Sequence, residues 1–171
     1  MFDSTQLAIK AAKLKKQTFE VFRRWKHKTP PLLDDAFHRA HEDVFSRIDC
    51  LACGNCCRDL GPQITYRDIE KMAKYLKIKP SELTHQHLRM DEDGDYVFKS
   101  MPCPFLRADN YCSIYDERPK ACREYPHTDR RKMIQILDIT LKNTFVCPAV
   151  FEIVECVKEE LKPIVKLPPS R

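Results

Sequence analysis

Leu7, Ala11, Leu14, Thr18, Val21 and Trp25 recur at alternating steps of four and three residues. That period lines them up on one face of a helix of about six turns. Thr29-Pro30-Pro31 ends the helix, because proline cannot continue it and restricts the residue before it. A second stripe, Leu33, Phe37, Ala40/His41, Val44 and Ile48, predicts a helix from about Leu32 to Ile48. After a turn at Gly61-Pro62, Thr65 is expected to cap a third helix, with Asp68 near its positive end and Ile69, Met72, Ala73 and Leu76 inside. Lys79-Pro80 closes that helix, and Ser81-Glu82-Leu83 caps a shorter one reaching about Leu88.

Beyond this point the signals shorten. Asp93-Gly94 predicts a hairpin turn into the strand Tyr96-Val97-Phe98. Cys103 to Tyr115 reads as a second short hairpin turning at Ala108-Asp109-Asn110, and Arg118-Pro119 to Glu124 as one or two helical turns carrying Cys122. Met133 to Leu141 alternates weakly, and periodicity leaves strand and helix equally open. Cys147-Pro148 starts a last helix, Ala149 to Leu161, with proline in the first turn, where its missing N–H does no harm.

Composition sets the class. Of the 171 residues 43% are hydrophobic, enough to bury a core, so the chain is not disordered. It has no apolar run near the ~20 residues of a membrane span. Its N-terminus lacks a basic segment, an apolar run and a small-residue cleavage site, so no secretory signal is expected. Nine cysteines leave one unpaired in any all-disulfide scheme. Together these point to a reducing, cytoplasmic setting in which thiols bind metal. The charge is uneven: residues 1–28 hold eight basic and two acidic side chains, a net of +6, and the rest of the chain sums to −1. The basic stripe reads first as a solvated face and second as a contact surface for a protein partner; nucleic acid is not expected.

Four cysteines fall within eight residues, Cys50, Cys53, Cys56 and Cys57, and Cys103, Cys112, Cys122 and Cys147 follow. Thiolates are soft ligands for zinc or iron–sulfur centres, and the two-residue spacing lets neighbours converge. Gly54 and Asn55 tolerate positive φ, so backbone N–H groups can turn toward sulfur. Adjacent Cys56 and Cys57 diverge on an extended chain, which predicts service to different metals or a non-ligand role for one. One loop cannot fill a four-thiolate site, so the later cysteines must supply the rest. Eight thiolates suit two four-ligand centres, or one centre with a redox or bridging pair. The spacing, with Cys103-Pro104 and Cys147-Pro148, is closer to bacterial ferredoxin ligation than to a zinc finger, although Leu60-Gly61 stands where that pattern has Cys-Pro. Cys156, alone on the last helix, reads as a core residue.

Cys50-x2-Cys53-x2-Cys56-Cys57, Pro102-Cys103-Pro104-Phe105-Leu106, Cys112-x-Ile114-Tyr115-x2-Arg118-Pro119 and Cys122-Arg123-x-Tyr125-Pro126 resemble the YkgJ-type cysteine-cluster family over roughly residues 48–150. The resemblance implies chelation of iron, as an iron–sulfur cluster, or of zinc by Cys50, Cys53, Cys56, Cys57, Cys103, Cys112, Cys122 and Cys147. Flagellin lysine N-methylases share a similar cysteine region, so the resemblance also carries a metal-dependent protein-modifying alternative, beside a structural zinc module that holds an interaction surface. The expected fold is mainly α with short β-hairpins, a small metal-stabilised single domain. A basic amphipathic helix over residues 1–30 precedes a cysteine-cluster domain over 31–161 and a flexible tail over 162–171.

The remaining candidates are weaker. Arg118 and Arg123 either offset thiolate charge or pair with Glu117 and Glu124. His127 could replace a thiolate at a zinc site, whereas His38 and His41, three residues apart, read as a partly buried helix face before a small metal pair, and His85-x-His87 is a weaker candidate still. Asp91 to Asp95 hints at a calcium loop, but the required twelfth-position glutamate is Pro102, so an acidic hairpin tip accounts for it better. Tyr66, Tyr111, Tyr115 and Tyr125 read as packing residues. Only three glycines exist and none builds a phosphate-binding motif, so a doubly wound nucleotide fold is not expected. No catalytic motif is recognisable, which leaves enzymatic activity open.

Overall fold

The computed structural model describes residues 4–162, so the tail expected over 162–171 lies, after Lys162, outside the described residues. In chain order the helices are α1 (Ser4–His27), α2 (Leu33–Phe45), α3 (Cys50–Cys53), α4 (Asn55–Asp59), α5 (Tyr66–Leu76) and α6 (Pro80–His87). Strands β1 (Leu88–Met90) and β2 (Tyr96–Phe98) follow, then α7 (Lys120–Glu124), α8 (Leu137–Asn143) and α9 (Pro148–Leu161). The fold is mainly α with a small two-stranded antiparallel hairpin. Among the described residues no helix is long and apolar enough to cross a membrane. Contacts gather the chain into two compact units, one built from the residues up to Asp49 and those from Pro126, the other from Cys50–Tyr125.

In the first unit α1 buries Leu7, Ala11, Thr18, Phe22 and Trp25, with the Phe22 and Trp25 rings 5.4 Å apart. Leu14 and Val21 of the expected stripe are only half-buried. A strict four-three repeat drifts around a 3.6-residue helix, and Phe22 replaces Val21 on the inner face. α2 buries Leu33, Ala36, Phe37, Ala40 and Val44 and packs against α9. It starts after Leu32, held at φ 63°, and stops at Phe45, short of the expected Ile48. The ambiguous 133–141 stretch is helical: a 3₁₀ turn over Met133–Ile136 runs into α8. The Asp34 carboxylate sets that turn by accepting the N–H groups of Lys132 at 2.6 Å and Met133 at 2.9 Å.

Cys156 corrects an expectation, since it is exposed and not in the core. The buried stripe of α9 runs through Val150, Ile153, Val154, Val157 and Leu161. Cys156 lies roughly 120° around the helix from its centre. The stem of Lys158 is buried instead, and its ammonium is held by Thr18 Oγ1 at 3.0 Å and Glu155 at 2.6 Å.

The second unit has its own apolar cluster: Ile64, Ile69, Met72, Ala73, Leu83, Leu88, Phe98, Phe105 and Ile114, with Cys103 and Cys112 packed against it. α5 opens with the expected Thr65 cap, reinforced as a reciprocal box. The Thr65 hydroxyl accepts the Asp68 N–H at 3.2 Å, and the Asp68 carboxylate accepts the Thr65 N–H at 3.0 Å. β1 and β2 pair Leu88 with Phe98 and Met90 with Tyr96 around a turn that uses Gly94 at φ 83°. Leu88, expected to end a helix, begins this strand. The second expected hairpin reduces to one bridge, Leu106 to Cys112, turning through Asn110 at φ 69°.

Candidate metal centre

The first four cysteines sit on two short helical pieces, α3 and α4, joined at Gly54. Gly54 adopts φ 64°, a conformation that favours glycine, and a Cβ there would lie 3.0 Å from Arg58 Nη1 and 3.3 Å from Asn110 Cβ, so these neighbours would have to give way. Asn55, expected to share that freedom, is helical. The expected divergence of Cys56 and Cys57 also fails. Their sulfurs lie 3.9 Å apart, because α4 is helical where an extended chain would splay them.

Side chains pin this segment to the next. Asn110 donates to the Ala52 carbonyl at 3.0 Å and accepts from Arg58, while Arg58 donates to the Cys53 carbonyl at 2.9 Å. The Cys103 N–H donates to the Cys57 carbonyl at 2.8 Å. The backbone N–H groups of Phe105 and Leu106 lower the Cys103 pKa, and that of Ile114 lowers the Cys112 pKa. N–H groups acting on sulfur in this way stabilise thiolate charge. Cys122 rides on α7, whose first residue, Lys120, donates its N–H to Asp68 Oδ1 at 2.9 Å. The capping carboxylate of α5 therefore also holds the helix that carries Cys122.

The four thiols Cys57, Cys103, Cys112 and Cys122 feel one another's charge. Burial pushes Cys122 up to about 12 and Cys103 up to about 11, and neighbouring thiolates add to both. Burial raises Cys112 as well, against the N–H of Ile114. Cys57 is pulled down to about 7, first by Cys56 and then by Arg58 and Arg118, which outweigh its burial. Arg118 acts on Cys57, Cys112 and Cys122 alike. Its guanidinium is fixed 3.7 Å over the Tyr115 ring and donates to the Tyr115 carbonyl at 2.8 Å. Arg123 instead donates to the Arg118 carbonyl and acts on Asp68. A donor set that is soft, partly buried and self-repelling when ionised suits a soft cation, which would reverse that repulsion. As placed, no three His, Cys, Asp or Glu side chains among the described residues are close enough together to hold one ion.

The other candidates separate from this set. Cys50 is exposed and Cys53 is half-buried on α3. Cys147 is buried in the first unit, immediately before α9, with its N–H on the Asn143 carbonyl at 2.8 Å. His127 also belongs to the first unit, at φ 64°. His38 and His41 meet the Arg130 carbonyl at 3.1 Å and Thr128 Oγ1 at 2.8 Å, and burial lowers the His41 pKa. His87 packs 5.2 Å from the Phe105 ring. Asp91 accepts the N–H groups of Asp93 and Asp95, which makes 91–95 the expected acidic hairpin tip. Sequence reasoning missed Asp68 and Asn110 as tethers. The signals available were an aspartate three residues into a capped helix and an asparagine at a turn, and neither names its distant partner.

The family model headed CxxCxxCC and described as "Putative zinc- or iron-chelating domain" matches residues 49–147, and the chain belongs to that family. An uncharacterized protein of Methanocaldococcus jannaschii is 34% identical over 82 residues, which are 46% of this chain and 44% of that protein. The match thus spans less than half of that relative's length. No solved structure matches the chain.

Proposed function

We propose that this protein chelates iron, as iron–sulfur, through thiolates drawn from Cys50, Cys53, Cys56, Cys57, Cys103, Cys112, Cys122 and Cys147. What supports the reading is the joining of cysteine segments far apart in sequence, with the Cys103 N–H on the Cys57 carbonyl at 2.8 Å and Cys103 and Cys112 packed against one apolar cluster. Backbone N–H groups that lower the Cys103 and Cys112 pKa values support it as well. Bound iron–sulfur would supply one-electron chemistry or a sensing centre. The protein's part is to hold the thiols, donate N–H groups to them and offset their charge with Arg118. The narrower YkgJ-type identity belongs to this same reading.

Zinc is the second reading, favoured by those same N–H groups, which equally suit a closed structural zinc site. Anaerobic purification with visible absorption, metal analysis and labile-sulfide analysis separates the two. A brown protein with iron and labile sulfide supports the first. A colourless protein that keeps zinc and refuses anaerobic iron–sulfur reconstitution supports the second. A folded protein that takes up neither metal sinks both.

A further inference from the structure

Helix α1 buries one side in the first unit and turns the other to solvent, where its charge is concentrated. It carries seven lysines and arginines against the single carboxylate of Glu20, and no residue of the helix before Glu20 is acidic. Several of these cations are occupied within the fold. Arg23 pairs with Glu20 at 2.7 Å, Lys26 pairs with Asp138 at 2.5 Å, and Lys15 lies 5.8 Å from the Phe145 ring centre. Lys10, Lys13 and Lys16 are exposed and have neither a hydrogen bond nor an ion pair among the described residues. Two large apolar side chains stand beside them, Ile9 at 56% exposure and Phe19 at 48%. At 100° per residue, Ile9, Ala12, Lys13, Lys16 and Phe19 fall within about 120° of one another, opposite the buried stripe, with Lys10 at the border. Ile9 and Phe19 bracket Lys13 and Lys16 at about 15 Å along the axis.

The chemistry of this face selects its partner. A single helix face is convex, so it offers no pocket and meets a partner over a flat area. Specific protein interfaces gather Trp, Tyr and Arg and are depleted in lysine, whereas the unpaired cations here are all lysine. A nucleic-acid backbone would pair with the ammonium groups but gives Ile9 no apolar partner. An anionic bilayer satisfies both kinds of side chain. Its headgroups take the ammonium groups on their flexible stems, and its acyl boundary takes the two apolar ones. We propose that this face of α1 is a docking surface for an anionic phospholipid bilayer, with Lys10, Lys13 and Lys16 supplying the attraction and Ile9 and Phe19 the anchorage. The helix lies along the bilayer, consistent with the lack of a spanning helix among the described residues. All five side chains belong to the first unit, so the inference stands apart from the metal reading.

Sedimentation of the full-length protein with vesicles tests it, using phosphatidylcholine alone and phosphatidylcholine mixed equally with phosphatidylserine. The protein should bind the mixed vesicles only, and less as salt rises. Replacing the lysines together, Lys10→Gln, Lys13→Gln and Lys16→Gln, should weaken binding about a hundredfold, roughly fivefold for each lysine. Ile9→Ser with Phe19→Ser should weaken it about tenfold at unchanged charge. The substituted side chains are exposed, so the fold is kept. Phe19→Trp reads the contact with all lysines in place: its emission should shift to the blue on mixed vesicles, against the constant signal of Trp25, buried at 2% exposure. The proposal is overturned if the unaltered protein ignores mixed vesicles, binds both kinds equally, or loses nothing with the lysines. Displacement from mixed vesicles by polyuridylate or polyglutamate, with the serine pair binding as well as the unaltered chain, would assign the face to another polyanion and overturn it too.

Discussion

The two compact units of this chain hold themselves together by different means. In the first, α1, α2 and α9 run to 24, 13 and 14 residues, and each buries an apolar stripe. In the second, α3, α4 and α7 have four, five and five residues, and only α5 reaches 11. Helices shorter than about 12–15 residues are marginal alone, so pieces this short persist only where something fixes their ends. Arg58, Asn110 and Asp68 do this by hydrogen bonds between segments. The comparison shows that long amphipathic helices carry one unit, whereas the other joins short pieces to its apolar cluster through polar tethers.

The largest expected effect follows from that division. Stripping metal with a chelator removes the cation that offsets converging thiolates, and the binding free energy of such sites is also folding free energy, roughly 10 kcal/mol in small zinc domains. Hydrogen exchange should then accelerate through residues 50–125 while amides of α1, α2 and α9 keep their protection. Equal acceleration in both units would erase the contrast.

A smaller effect is expected at Asp68, which is buried at 3% exposure. Burial raises its pKa, but the Thr65 hydroxyl, the Lys120 and Thr65 N–H groups and the Arg123 charge outweigh this and hold it below its ordinary value. A carboxylate depressed in the folded state stabilises above its unfolded pKa of about 3.9, and this contribution is lost as pH falls through the lower folded value. Asp68→Asn should cost about 2 kcal/mol at neutral pH and flatten the acid-side loss of stability. It should also expose Cys122 to alkylation. Chemical denaturation at pH 7 and in the acid range checks the first two, and a Cys122 that reacts no faster would break the proposed tether.

The smallest effect is expected at Cys156. It is exposed on α9, so Cys156→Ser should change stability by no more than about 0.5 kcal/mol and leave metal stoichiometry untouched. A larger loss in a thermal melt would mean that the cysteine packs against something after all.

Where a long stripe carries the signal, reading and structure agree closely. Thr65 caps α5, Pro148 opens α9, and Asp93-Gly94 turns the hairpin. Each of these rests on local chemistry within a few residues. Errors appear where a choice depends on neighbours. Met133 to Leu141 becomes helical where Asp34, about 100 residues earlier, accepts the N–H groups of Lys132 and Met133 at its start. Ala149 and Ile153 are buried as expected, but the buried stripe is centred on Val150, Val154 and Val157, which leaves Cys156 beyond its edge and exposed.

From its residues alone this chain declares a mainly helical body, a cysteine cluster and the soft-metal chemistry that such a cluster serves, because helix period and thiol character are local properties. Which cysteine segments meet is not local. It depends on the Cys103–Cys57 backbone contact and the grip of Asp68 on Lys120, each joining groups far apart in sequence that only the folded chain brings within hydrogen-bond distance.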